Sequence, residues 1–504
     1  MISARFRPLG LLLGAVLAAG TATADERRAE ESPPAEPRDE PALPSGLGGS
    51  KDERDGRDDE APALPSGLGG PPASDIPDLP SGLDSDASAA SMDEPTEPVA
   101  RSWLEGWTGF WDVRYGRRVR DDANQRGTAL LETRLQLSRD TYVGNALLRF
   151  TADLVYDDIA PEQGLDLERG QGVVDLREAF IGLPVGDRID LRVGRQVLTW
   201  GVGDLLFLND LFPKDWNSFF VGRDLEYLKA PSDAVRAAFF LPSFNVDVVY
   251  TPRFDSDRYL DNRRLSFFDP RFGQIAGGNV PFDPVLPDAW FDDDEWAVRA
   301  YRLLGGWELA AYGYRGFWKS PEGFDQVTGR PRFPRLDVWG ASARGTVGPG
   351  VFSAEVAFYD SREDDAGTNP FIPNAEQRLL AGWDQELVAN LSLGLQYYVE
   401  RTEDHAALLA TWPDGVGRPP DRHRHLLTGR LTWLTHGQNV TWSAFVFASS
   451  SDQDAYLRGS WSWKPTDRWT VSAGFNAFEG SNSDSFFGQF ETNSNLYAAL
   501  RYGF

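Results

Sequence analysis

Four histidines and no cysteine leave this 504-residue chain few of the side chains that most chemistry needs. Two of them, His423 and His425 in "DRHRH" (421–425), stand at the spacing of a metal-ligand pair. A structural or catalytic metal needs three or four such donors, and neither a third histidine nor a thiolate is near. The stretch reads as a solvated loop running into a strand. No G-x-S-x-G occurs and no Ser–His pairing is evident, so a hydrolytic triad would have to be assembled in space alone. The expectation is no metal, no cofactor and no enzymatic activity.

The remaining polar chemistry is charge. Arg134, Arg149, Arg177, Arg192, Arg236, Arg299, Arg378, Arg430, Arg458 and Arg501 recur at alternate positions between apolar residues. Glu132, Asp153, Asp175, Asp190, Asp247, Asp337, Glu355 and Asp384 follow the same parity. A sheet face bearing both signs is either an ion-pair lattice that stiffens a wall or the lining of an aqueous path for polar solutes. Neither Lys nor Arg forms an unbroken ladder, so a dedicated anion channel is not indicated.

Strict alternation is the period of a strand with one wet and one apolar face. "LLETRLQLSR" sets Glu132, Arg134, Gln136 and Ser138 against Leu131, Thr133, Leu135 and Leu137. "NALLRFTADLVY" sets Asn145, Arg149, Thr151 and Asp153 against Ala146, Leu148, Phe150, Ala152 and Leu154. In all, 18 such segments run from 107–118 to 494–504. Tight turns join every second pair, among them "DTY", "VG", "PS", "GG", "GPG", "HGQ" and "PTDR". The intervening links, 158–171, 199–228, 253–293, 319–330, 362–374, 402–421 and 480–493, are mostly longer. Tight turns at one rim and long loops at the other predict an all-β, antiparallel up-and-down transmembrane barrel. Trp307, Trp433, Trp442, Trp463 and Trp469 lie beside the tight turns on the lipid-facing parity, as an interfacial girdle requires. Outer-membrane lipid is therefore an expected partner.

The last segment must close the barrel, because lipid tolerates no unpaired sheet edge. Its outward residues, Leu496, Ala498, Leu500, Tyr502 and Phe504, end on a bare Phe. Leu500, Tyr502 and Phe504 resemble the C-terminal signal read by the outer-membrane barrel-assembly machinery. One local conflict appears in "DLREAF": if Arg177 points inward, Glu178 faces lipid, so a bulge is expected there.

The N-terminus supports the same compartment. Arg5 and Arg7, an apolar stretch Leu9–Ala19 and Ala22-Thr23-Ala24 read as a signal peptide over 1–24. Residues 25–100 hold 20 acidic and 6 basic residues and no aromatics, the composition of a disordered periplasmic tail. With a net charge of −26, the chain lacks the basic footprint of a nucleic-acid binder. The tail also lacks the size and apolar content of a folded plug for TonB-dependent uptake. Within it Leu-Pro-Ser-Gly-Leu occurs three times, around Leu43, Pro44 and Leu47, Leu64, Pro65 and Leu68, and Leu79, Pro80 and Leu83. Duplication of low-complexity sequence accounts for the repeats. A multivalent peptide docking a periplasmic or inner-membrane oligomer accounts for the leucine frame as well.

One predicted loop is unlike the others. Residues 199–228 carry Leu205, Leu206, Phe207, Leu208, Leu211, Phe212, Trp216, Phe219 and Phe220, a run costly to leave in water. The run either folds inward and narrows the lumen or lies at the outer membrane interface. Folded inward, it would present Asp204, Asp210, Lys214, Asp215, Arg223, Asp224 and Glu226 to the path. Arg149, Arg192, Arg236 and Asp247 on the wall would complete the constriction. The strand before it contains Gly194, Arg195, Gln196, Trp200 and Gly201, a G-R-Q-x-x-x-W-G pattern, with "DLREAFIGL" (175–183) upstream. This stretch of about 70 residues resembles porin-like outer-membrane proteins of the alginate-export type. The resemblance implies a passive pore or export channel. The mixed lumen charge and the acidic repeats depart from a conduit for a polyanion.

The sequence thus predicts a signal peptide (1–24), an acidic Pro-rich tail (25–100) and an 18-strand barrel (101–504) in the outer membrane of a Gram-negative bacterium. The barrel would pass polar solutes past an inward-folded loop. The alternative is a plugged scaffold or receptor whose repeats tether a periplasmic complex.

Overall fold

Period-two alternation becomes 18 antiparallel strands in the computed structural model, which describes residues 106–160, 164–166, 171–278, 280 and 282–504. The expected signal peptide and the acidic tail with its repeats lie outside the described residues.

The strands are β1 (Thr108–Arg118), β2 (Thr128–Val143), β3 (Ala146–Asp157), β4 (Val174–Val185), β5 (Ile189–Val197) and β6 (Pro231–Phe240). They continue as β7 (Asn245–Thr251), β8 (Glu295–Leu304), β9 (Trp307–Phe317), β10 (Arg335–Val347), β11 (Gly350–Ser361) and β12 (Glu376–Val388). The last six are β13 (Leu391–Thr402), β14 (His423–Thr435), β15 (Val440–Ser449), β16 (Asp454–Trp463), β17 (Trp469–Gly480) and β18 (Asn495–Gly503). Each pairs with its sequence neighbours, and β1 pairs with both β2 and β18. The sheet is therefore a closed barrel with no free edge. The terminal Phe504 completes the seam by exchanging backbone hydrogen bonds with Gly109, at 3.1 and 3.0 Å.

The two faces separate by burial. Along β3, Phe150 and Leu154 are exposed on the outside, while Thr151 and Asp153 are buried within. Along β18, Leu496, Leu500 and Phe504 lie outside and Tyr497 and Ala499 inside. Trp433, Trp442, Trp463 and Trp469 are exposed on the outer face near the short turns. Charges inside and apolar side chains outside invert the ordering of a water-soluble domain and suit a lipid-surrounded wall.

The expected bulge is present. Thr151 on β3 faces Glu178 and Ala152 faces Leu176, so Arg177 is the extra residue of β4. The insertion puts Glu178 beside the lumen-facing Thr151, with Oγ1 of Thr151 3.4 Å from its carboxylate. Both members of the pair escape lipid.

The long-loop rim has folded pieces of its own. They include the helix α1 (Trp216–Val221), the helix α2 (His405–Thr411), and hairpins at Phe267–Asp269/Gln274–Ala276 and Gly323–Asp325/Arg330–Arg332. The link between β15 and β16 breaks the long/short pattern, with only 450–453 outside the strands.

Candidate functional site

The segment from β5 to β6 starts at the G-R-Q-x-x-x-W-G pattern, and each residue of that pattern has a mechanical task. Gly194 sits at φ +125°, where a Cβ would come within 2.3 Å of the Ala179 carbonyl oxygen. Only glycine lets β4 and β5 approach there. Arg195 forms a forked pair with Asp233 on β6, at 2.9 and 2.5 Å. Gln196 donates to the Ala234 carbonyl at 3.0 Å. Together they lock the two strands between which the segment is strung. Trp200 packs edge-on against Phe212, with ring centroids 4.9 Å apart, and near Tyr312 of β9.

Beyond Gly201 the backbone meets the far wall. The buried carboxylate of Glu355 on β11 accepts from the Val202 N–H (3.0 Å), the Asn209 N–H (2.9 Å) and the Asn209 side-chain amide (2.8 Å). Three donors on one carboxylate fold residues 202–209 into a compact turn. Asp204 pairs with Arg430 on β14 at 2.5 and 2.8 Å.

The middle of the segment is held by its own polar groups and by the loop 252–294. Lys214 Nζ reaches Asp210 at 3.0 Å and the Phe212 carbonyl at 2.7 Å. Asp215 caps α1, accepting from the Ser218 N–H at 2.9 Å and its hydroxyl at 2.7 Å. Asp257 ties three loops together, accepting from the Lys214 N–H, the Trp216 indole and the Ser320 hydroxyl. Arg258 forks onto Asp175 of β4 at 2.9 and 2.7 Å. Burial opposes the charge on the Arg258 guanidinium, but Asp175 and Asp215 hold its pKa well above the ordinary value.

The far end of the segment reaches the barrel seam. Arg223 forks onto Glu132 of β2 at 2.9 and 2.5 Å. Asp224 accepts from Arg114 of β1 at 2.6 Å and from Arg501 of β18. Burial pushes the Asp224 carboxyl up, yet the flanking guanidiniums of Arg114 and Arg501 hold it below the usual carboxylate range. Gly222, at φ +88°, lies so close to the Tyr497 ring that a Cβ would come within 2.4 Å of it. Arg458 of β16 donates to the Arg223 carbonyl at 2.8 Å. Arg177, the bulge residue, donates to the Lys229 carbonyl at 2.9 Å.

Between these clamps sits an aromatic cluster. Phe219 and Phe220 of α1 meet lumen-facing rings of Phe447, Tyr456 and Phe478 and, from the loop 481–494, Phe490. Phe220 and Phe490 have ring centroids 4.7 Å apart. On the short-turn side of this cluster lies a cavity of about 550 Å³. Arg114, Asp224, Arg430, Arg458, Lys464 and Arg501 are on its wall. On the loop side lie two more, of about 750 Å³ and about 360 Å³, the first aromatic and the second lined by charges including Arg134, Asp175, Arg223 and Arg258.

The seven segment residues singled out from sequence do not share one surface. Asp204, Arg223 and Asp224 reach the wall, whereas Asp210, Lys214 and Asp215 are buried in the segment's own scaffold, and Glu226 lies near Arg501, 3.3 Å away. Arg149, Arg192, Arg236 and Asp247 stand apart from this group, near the short turns. Arg149 pairs there with Asp140, Arg236 with Asp247 at 3.0 Å, and Arg192 covers the Phe180 ring. The distance from the segment follows from register: these residues fall within a few positions of the turns, while the segment departs from the opposite strand ends. Arg114 follows the parity of Asp112 and Arg118 on β1, and that parity is the signal by which sequence reasoning could find it. Asp257 and Arg258 carry no periodic signal.

His423 and His425 stack near Tyr397, whose hydroxyl lies 2.7 Å from His425 Nδ1. Among the described residues no group of three or more His, Cys, Asp or Glu is arranged to hold a metal.

No protein-family model matches the chain, and no curated protein matches it. Solved structures similar to it include Pseudomonas aeruginosa OccK5 (OpdH), at 9% identity over 79% of this chain and 97% of that one, with a TM-score of 0.45. Acinetobacter baumannii OccAB3 is 11% identical over 79% and 99%, with a TM-score of 0.44. The outer membrane channel DcaP of A. baumannii is 12% identical over 79% and 96%, with a TM-score of 0.37. These likenesses are of fold alone.

Proposed function

We propose that the protein is an outer-membrane channel for small polar solutes, narrowed by the segment 198–230 lying inside the barrel. The observation that carries this reading is the set of partners that segment finds. Glu132, Arg114, Glu355, Arg430, Arg458 and Arg501 belong to strands spread around the barrel, and all carry the inward parity. A segment lying on the outer membrane interface could not reach them together. Cavities on both sides of the aromatic cluster, each with charged wall residues, supply the wet ends of a path. An 18-strand wall is wide enough to keep such a path beside an internal segment.

The launch motif Gly194–Gly201 supports the resemblance to alginate-export-type porins in architecture. The lumen does not extend it to a polyanion, because Arg114, Arg134, Arg223 and Arg430 at the narrowing are each matched by a carboxylate. Opposed charges across a narrow gap orient dipolar or zwitterionic solutes instead. The signal sequence and the closed, apolar-faced barrel favour the outer membrane of a Gram-negative cell, with the acidic repeats on the periplasmic side. The test is swelling of liposomes carrying the purified full chain, with small sugars and amino acids outside. Swelling that declines with solute size supports the channel, and liposomes that behave as protein-free ones refute it.

A further inference from the structure

The loop-side cavity of about 750 Å³ differs in kind from the charged lumen below it. Its wall is built largely from rings and prolines contributed by several loops, among them Phe268, Phe324, Phe371, Trp412 and Phe486. Phe220 and Phe490, the top of the aromatic cluster, also line it. Several of these rings are held in place. The Trp412 indole donates to the Gly417 carbonyl at 3.0 Å, and Phe324 and Phe371 are joined by a backbone hydrogen bond of 2.9 Å with ring centroids 5.9 Å apart. Leaving such rings facing water is costly unless something covers them. The volume fits a small-molecule site rather than a protein groove.

Three charged side chains share this wall: Asp269, Arg271 and Glu322. Arg271 forks onto Asp269 at 2.9 and 2.6 Å, so that pair cancels. Glu322, exposed on the wall, is the remaining charge of the lining, with the Arg378 guanidinium and the Asp257 and Glu400 carboxylates acting on it from beyond that lining. Ring faces around a carboxylate form the environment that attracts an organic cation, through the negative π-face as well as the formal charge.

We propose that this cavity is a binding site for ring-bearing organic ammonium ions, which stack on its aromatic wall with the ammonium toward Glu322. As the mouth of the path it rests on the channel reading above and names a solute class for it. A carboxylate on the same ring system would meet Glu322 with like charge and be rejected.

The experiment titrates phenethylammonium and phenylacetate, separately, into the purified full chain in detergent by calorimetry. In parallel, each is added to either side of a planar bilayer holding single barrels. Phenethylammonium should bind at millimolar concentration, and phenylacetate about tenfold more weakly. Glu322→Gln and, independently, Trp412→Ala should each weaken phenethylammonium about tenfold, in barrels that keep their heat-modifiable gel migration. Current block should arise from the long-loop side. Equal binding of the two probes, or Glu322→Gln and Trp412→Ala variants that bind like the wild type, would overturn the site. Binding by a barrel that conducts no ions would uphold the site and refute the channel; conduction without binding would do the reverse.

Discussion

Phe220 is the residue on which the position of the internal segment depends most, and its truncation gives a sharp prediction. Its ring is 2% exposed and touches Phe219, Tyr456, Phe478 and Phe490, with centroids between 4.7 and 6.1 Å. A helix of six residues such as α1 is not stable alone, so tertiary contacts hold it. Phe→Ala in a packed core costs about 3–5 kcal/mol. Every ~1.4 kcal/mol is a factor of ten, so a loss of about 3 kcal/mol raises the unseated population of the segment roughly a hundredfold. The barrel itself is held by the 18-strand hydrogen-bond ladder and should assemble normally. Single-channel recordings of Phe220→Ala should show frequent transitions to a larger conductance that are rare in the wild type. The lipid-facing control Phe475→Ala should leave the recordings unchanged. A correctly folded Phe220→Ala barrel with the wild-type conductance histogram would refute the claim that this cluster seats the segment.

Other expectations follow from the same contacts. Glu355→Ala strips three donors of their acceptor, at about 1–3 kcal/mol for each group left buried and unpaired. Limited proteolysis should then cut within 202–209 faster than in the wild type. Asp224, whose carboxyl is held low, makes a contribution to the pH profile that can be isolated by substitution. A depressed pKa gives stabilisation that is complete above the ordinary carboxylate range and lost only as pH falls through the depressed value. The seating of the segment by Asp224 should therefore stay constant from neutral pH down to about 5, above the ordinary Asp value of ~3.9; a change in conductance in that window that vanishes in Asp224→Asn would contradict the assignment. In the N-terminal tail, changing Leu43, Leu47, Leu64, Leu68, Leu79 and Leu83 to Ser should abolish crosslinking to a periplasmic or inner-membrane partner while leaving barrel heat-modifiability intact. Identical crosslinks for wild type and variant would make the repeats spacer sequence.

How much of this was legible depends on whether the information is local. Period-two alternation is local, and it located all 18 strands with errors of a few residues, down to the bulge at Arg177. Membrane barrels make this possible because lipid outside and water inside force opposite chemistry on successive residues. The launch motif was also visible, though the tasks of Gly194, Arg195 and Gln196 needed the paired strands to interpret. The clamps were not legible. Arg223 meets Glu132 across 91 positions and Asp204 meets Arg430 across 226, and no periodicity links such pairs. Arg149, Arg192, Arg236 and Asp247 share the inward parity with the true partners of the segment, but parity gives the face of a residue and not its depth. The inward rings of Phe447, Tyr456 and Phe478 are a further case. Parity puts them on the inward face with Arg458 and Asn476, but why a wall expected to be polar inside carries rings there shows only in the segment packed against them.

An aqueous path narrowed by the segment 198–230 has a direct consequence for conductance. The most direct measurement compares single-channel conductance of the full chain with that of a variant lacking Asp204–Phe220, both purified as heat-modifiable barrels. A narrowed path gives small, well-defined conductance steps for the full chain and distinctly larger ones for the deletion. Equal conductance in the two, or no conductance in either, would contradict it.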